Sequence, residues 1–224
     1  MGRSYDAGAY CGDCGRGPVR HTAAQLVLGL VVFVLVGWGL GELWTSIAGS
    51  ADLDAIRDVA DGRTATMIGV SKVVTWGGSL VVLVPLAAIC CLAFARAGFR
   101  REAVAVALSL GGAIVIWHVV KLLVGRARPP VEHLQHVSDA SFPSGHATQA
   151  SVFWFALVLA LRTAGASRAQ TCVATAVAVA IVVAVCASRV VLGVHYPGDV
   201  AAGALVGTGW ALFVSERVRR AAVQ

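Results

Sequence analysis

Three polar clusters interrupt an otherwise apolar chain, and their residue types suit the handling of a phosphate group. The first reads Lys121-Leu-Leu-Val-Gly-Arg126-Ala-Arg128-Pro129. Lys121 and Arg128 stand seven residues apart, almost two helical turns, so a continuing helix carries both on one side until Pro129 and Pro130 end it. Two cations without matching carboxylates beside them suit an anion such as phosphate. Either could instead snorkel to lipid headgroups, and that reading applies above all to Arg126. The second cluster is Ser141-Phe-Pro143-Ser144-Gly145-His146, directly before an apolar run. Ser144 can cap a helix there. Gly145 lets backbone approach an anion closely, and the free N–H groups of the first turn point at it. His146 could give or take a proton near neutral pH.

The third cluster runs from Ser188 and Arg189 to His195, Pro197 and Asp199. Pro197 suits the first position of a helix, which puts Asp199 in its first turn. An acid there can simply complement the helix dipole. His195, four residues earlier, is nevertheless within reach of that carboxylate. An Asp–His pair fixes the imidazole tautomer and prepares the other nitrogen to attack. Arg189 adds a third cation. Jointly the clusters supply a nucleophile with its orienting acid, a second histidine for proton transfer, and donors for phosphate oxygens. Phosphoryl transfer asks for little more.

Other polar residues fit less well. His133 and His136 form an HxxH beside Glu132, with no third histidine at helical spacing, and read as solvated loop residues. His118, one turn before Lys121, suits either the floor of a site or a hydrogen-bonded core histidine. Cys11 and Cys14, even with His21, fall short of the four ligands zinc takes. No metal or cofactor is expected.

The elements that must position these clusters are membrane helices. The chain is 58% hydrophobic and 13% charged, against roughly 25% charged residues in soluble domains. Too little polar surface remains to coat a soluble globule. Apolar runs fall near 24–46, 73–95, 103–124, 147–163, 170–187 and 198–215. Each is long enough for one helical crossing of a hydrocarbon layer about 30 Å thick. The expectation is an all-α, polytopic bundle of six transmembrane helices, with a polar tail over 1–22, a membrane domain over 23–217 and a short tail over 218–224. Between the first two runs, Leu53, Ile56 and Val59 suggest a short helix on the membrane surface. With the N-terminus inside, the inner segments hold eleven Lys and Arg and the outer ones seven. Both termini are then cytoplasmic and all three clusters lie on the outer face. Basic residues at the ends of apolar runs fit a membrane, not nucleic acid.

The spacings K-x6-R-P, P-S-G-H and S-R-x5-H-x3-D, in this order, resemble the three signature motifs of the type-2 phosphatidic acid phosphatase superfamily. Every signature position is matched, from Lys121 to Asp199. The six runs resemble its membrane lipid phosphatase branch, which includes bacterial phosphatidylglycerophosphatase B and undecaprenyl-diphosphatase type enzymes. The resemblance implies that His195 forms a phosphohistidine supported by Asp199, and that His146 protonates the leaving oxygen. It implies that Lys121, Arg128, Ser144, Gly145 and Arg189 hold the phosphate, without metal. The expected substrate is a lipid phosphate or diphosphate, with an isoprenyl diphosphate leading and phosphatidylglycerol phosphate or phosphatidate as alternatives. A lipid-binding or transport protein that kept the pocket and a vanadate haloperoxidase are the competing readings. Oligomeric state is not legible.

Overall fold

The computed structural model describes residues 17–221, and no strand occurs among them. Seven helices follow in order: α1 (Gly17–Asp61), α2 (Ala65–Val74), α3 (Leu80–Arg96), α4 (Arg100–Val124), α5 (Gly145–Thr163), α6 (Arg168–Val191) and α7 (Pro197–Arg220). A 3-10 turn over Thr75–Gly78 joins α2 to α3. Cys11 and Cys14 lie outside the described residues.

The bundle is apolar on its surface as well as in its core, and it buries polar side chains inside. Leu122, Val81 and Leu205 are 84%, 74% and 69% exposed, while Ser109, Ser144, Thr148 and Ser151 are fully buried. A helix surrounded by lipid satisfies its own backbone and can leave apolar side chains facing outward. Four helices, α1, α4, α6 and α7, are long and apolar enough to cross a membrane. The stretch Ala65–Gly78 with α3, bent by 43°, makes a fifth. The remaining run of the six, α5, falls short of that test because its polar side chains point inward. It contacts α3, α4, α6 and α7 and is covered by protein.

Small residues let α7 lie close against α5. A Cβ at Gly207 would stand 2.4 Å from the Thr148 carbonyl oxygen, and one at Gly203 2.8 Å from that of Ser144. Glycines four apart at such a contact are how membrane helices approach without a hydrophobic driving force between them. The contact fixes the start of α5 against the start of α7, where two of the three polar clusters sit.

Two expectations change. The stretch after the first apolar run is no separate surface helix. α1 continues through it for 45 residues in all, about 68 Å at 1.5 Å per residue and far longer than the bilayer core. No proline interrupts it, and its apolar stripe is used: Ile56 is fully buried and Asp52 is 4% exposed. Likewise α4 does not carry Arg128. Gly125, at φ +60°, caps it after Val124, since glycine takes the left-handed conformation at little cost. Arg126 and Arg128 therefore sit on the following loop.

Candidate active site

A cavity of about 280 Å³ opens where α4 ends and α5 begins, beside the α6–α7 turn. Lys121, Arg128, Gly145, His146, Arg189 and His195 all line it, together with Trp117, Asp139 and Gln149. The segments that build it are buried despite being connections: every residue from Ser141 to Gly145 and from Leu192 to Tyr196 is buried. Gly193, at φ +74°, turns the chain toward His195. A Cβ there would also stand 2.4 Å from the Glu132 carbonyl oxygen.

His195 Nδ1 lies 3.5 Å from Asp199 Oδ2, within ion-pair range but without a formed hydrogen bond. Such contacts often tighten only when substrate binds. Its Nε2 is 3.5 Å from Arg128 Nη1. Burial, with Arg128 and Arg189 adding to it against the pull of Asp199, pushes His195 down to about 4. The imidazole is therefore neutral near pH 7 and keeps a lone pair free. Asp199 is 0% exposed and accepts from Arg126 Nη1 at 2.6 Å, Ser141 Oγ at 2.5 Å and the Tyr196 N–H at 3.1 Å.

Ser144 caps α5 as expected, its side chain accepting from the Ala147 N–H at 3.5 Å, while its own N–H donates to the Asp199 carbonyl at 3.1 Å. A side chain at Gly145 would meet only ordinary contacts, 3.5 Å to Trp117 and 3.6 Å to Gln149. Internal packing does not demand glycine there; its bare backbone borders the cavity. Arg189 donates through Nη1 to Thr75 Oγ1 at 2.8 Å and Gln135 Oε1 at 2.5 Å. Its Nε is buried with no partner, a donor left over for an anion.

Asp139 was not singled out from sequence. Its carboxylate meets Lys121 Nζ at 2.6 Å and Arg128 Nη2 at 2.5 Å. Arg128 also donates through Nε to the Asp139 carbonyl at 2.9 Å and through Nη1 to that of Val194. Burial works against the Asp139 charge, but Lys121 and Arg128 outweigh it and hold the carboxyl at about 2. Gln149, with its amide turned to satisfy both neighbours, accepts from Trp117 Nε1 and donates to the Gly78 carbonyl, each at 2.9 Å. Arg126, read as snorkelling, is 9% exposed and bridges Asp199 and Asp52. The missed signal was Asp52 standing four residues before Ile56, an acid on the apolar stripe of a helix.

His118 fits neither expectation. It is exposed, with Nδ1 2.8 Å from the Ile114 carbonyl, and does not line the cavity. His133 holds the Pro129 carbonyl at 2.9 Å, and His136 is exposed on the same loop. Among the described residues no group of three His, Cys, Asp or Glu is placed to hold a metal ion.

A neutral imidazole facing a carboxylate, a second imidazole, and three cations around one cavity can together bind a phosphate and transfer it. The sequence profile of the PAP2 superfamily matches residues 102–222, more than half the chain. The chain belongs to the PAP2 superfamily. It is a phosphoric ester hydrolase of membrane lipids. It is 28% identical over 160 residues to YbjG of Escherichia coli (strain K12), a protein provisionally named an undecaprenyl-diphosphatase, covering 69% of this chain and 73% of that one. Among solved structures it resembles the PAP2 type phosphatidylglycerolphosphate phosphatase of Bacillus subtilis, with a TM-score of 0.76 and 26% identity over 86% of this chain and 96% of the other. LpxE of Aquifex aeolicus shares the fold, with a TM-score of 0.61 and 22% identity over 73% and 94% of the respective chains.

Proposed function

We propose that this PAP2 protein hydrolyses an isoprenyl diphosphate of the undecaprenyl type at the extracytoplasmic membrane face, without metal, through a phosphohistidine on His195. The observation that carries the reading is the buried His195 set between Asp199 and the cation-lined cavity. In the first step His195 Nε2 forms a bond to phosphorus. The bond to the leaving oxygen breaks, its electron pair stays on that oxygen, and His146 supplies the proton. Asp199 stabilises the charged ring through Nδ1. In the second step water attacks phosphorus and gives its proton to His146, and the P–N bond breaks to return His195 and release phosphate. Lys121, Arg128 and Arg189 neutralise the phosphate oxygens, with Gly145 offering its backbone N–H at the start of α5 and Ser144, whose own N–H is held by the Asp199 carbonyl, its hydroxyl.

The relation to YbjG supports the diphosphate substrate. The Bacillus subtilis structure favours a second reading, phosphatidylglycerol phosphate. An excess of basic residues on the inner segments, counted over six crossings that include α5, supports the reading that both termini are cytoplasmic and the cavity faces outward. The test is phosphate release by detergent-purified protein in EDTA from prenyl diphosphate, phosphatidylglycerol phosphate and phosphatidate, with His195→Ala alongside. The expected result is fastest release from the prenyl diphosphate, abolished in the variant. Faster release from phosphatidylglycerol phosphate selects the second reading, and release that survives His195→Ala overturns both.

A further inference from the structure

The reading above needs Asp199 to present one oxygen to His195, yet a carboxylate can rotate. What it is bonded to on its other side decides where that oxygen points. Asp199 Oδ1 is taken by Arg126 Nη1 at 2.6 Å. The same guanidinium donates through Nη2 to Asp52 Oδ2 at 2.9 Å, so its planar fork spans two carboxylates rather than swinging toward one. The Tyr196 ring lies 4.0 Å from the guanidinium carbon and packs against the fork. Asp52 is itself held, by Trp44 Nε1 at 2.9 Å and by the Gly198 N–H at 2.9 Å. Asp52, Arg126 and Asp199 are all buried, and neither Asp52 nor Arg126 lines the cavity.

We infer that Arg126 and Asp52 are positioning residues for the transfer to His195, Asp52 reaching the site from the extension of α1, which does not line the cavity. Two physical effects follow from the arrangement. Arg126, on Oδ1, fixes the carboxylate plane of Asp199, while Oδ2, which also accepts from Ser141 Oγ and the Tyr196 N–H, faces His195 Nδ1 at 3.5 Å. Asp52 also balances charge: Arg126 with Asp199 alone sums to zero, whereas the buried triad keeps one negative charge to meet the cation that His195 becomes. Removing only one partner of such a buried network leaves an uncompensated charge. The gain lies in the phosphoryl-transfer step, because neither residue lines the cavity.

His195 faces Arg128 from the α4–α5 loop, His146 from α5, Arg189 from α6 and Asp199 from α7. Asp52 influences it only through Arg126 and the summed field. The inference rests on His195 as the attacking group, and the test separates the two. Wild type, Asp52→Asn, Arg126→Lys, the double variant and His195→Ala are compared in one detergent assay, with inhibition by inorganic phosphate, a ground-state anion, measured alongside. Asp52→Asn is expected to lower kcat about ten- to a hundredfold, well short of the roughly 10⁴-fold loss of an orienting acid. KM and the inhibition constant of inorganic phosphate stay within about twofold, since a group acting only in the transition state changes kcat without changing ground-state binding. The acid limb of kcat/KM moves to lower pH, because a negative charge near His195 is gone. Arg126→Lys keeps the charge and loses the fork, and Asp52→Asn adds little to it in the double variant. Asp52→Asn matching wild type overturns the positioning role. So does a loss of kcat and of phosphate binding together with an unmoved pH profile, which marks a merely structural contact. Activity in His195→Ala overturns the underlying reading instead.

Discussion

Asp199 and Asp139 are both carboxylates gripped by arginine at the same end of the bundle, and their surroundings set them to opposite tasks. Asp199 is 0% exposed, and its partners are a fixed loop arginine, a buried serine hydroxyl and a backbone N–H. The Asp139 side chain is 48% exposed, and its partners Lys121 and Arg128 are the cations that border the cavity. One carboxylate is held by donors that do not line the cavity. The other borrows donors suited to phosphate oxygens, and an incoming phosphate competes with it. The lesson is that an ion pair is read from what else its partners can bind, not from its distance.

Breaking the fixed carboxylate should have the largest effect. Asp199→Asn retains the shape but loses the charge and offers an N–H where His195 needs an acceptor. A fall in kcat of about 10³- to 10⁴-fold is expected, with KM changed little, read from steady-state phosphate release. Next comes pH. With His195 held at about 4, the ring is protonated and loses its lone pair only as pH falls through that value. The acid limb of kcat/KM therefore lies near 4 and not near the ordinary histidine value of about 6.5, and falls about tenfold per unit below it. A pH profile with lipid in mixed micelles measures it. The smallest effect belongs to the borrowed carboxylate. Asp139→Asn frees Lys121 and Arg128 from a half-exposed partner, lowering KM and the inhibition constant of inorganic phosphate by about two- to fivefold with kcat nearly unchanged. A loss of kcat in Asp139→Asn as large as in Asp199→Asn would erase the distinction between the two.

The motif residues could be singled out from sequence because the chemistry of phosphate dictates residue type at short spacing, and folding brings Lys121, Arg128, Gly145, His146, Arg189 and His195 around one cavity, with Ser144 and Asp199 outside its lining. The network around Asp199 could not, since Arg126 meets Asp52 across 74 residues and Asp199 across 73. No local pattern encodes a pairing at that separation. Asp139 sits in an irregular loop, where neither periodicity nor a cap restricts its partner. Helix ends were partly legible: Ser144 and Pro197 mark the starts of α5 and α7, whereas Gly125, the terminator of α4, was passed over in favour of Pro129. The low hydropathy of α5 has the same origin as its position. A helix enclosed by four others can carry Thr148, Gln149 and Ser151 inward, so it no longer looks like one bathed in lipid.

The central claim is that phosphate passes through His195. The most direct test is rapid acid-free quenching of purified protein mixed with a ³²P-labelled prenyl diphosphate, followed by peptide mapping. The account predicts a transient, acid-labile and base-stable phosphoryl group on the peptide containing His195, absent from His195→Ala. Full turnover with no phosphorylated enzyme at any time, or label on a different residue, would contradict it.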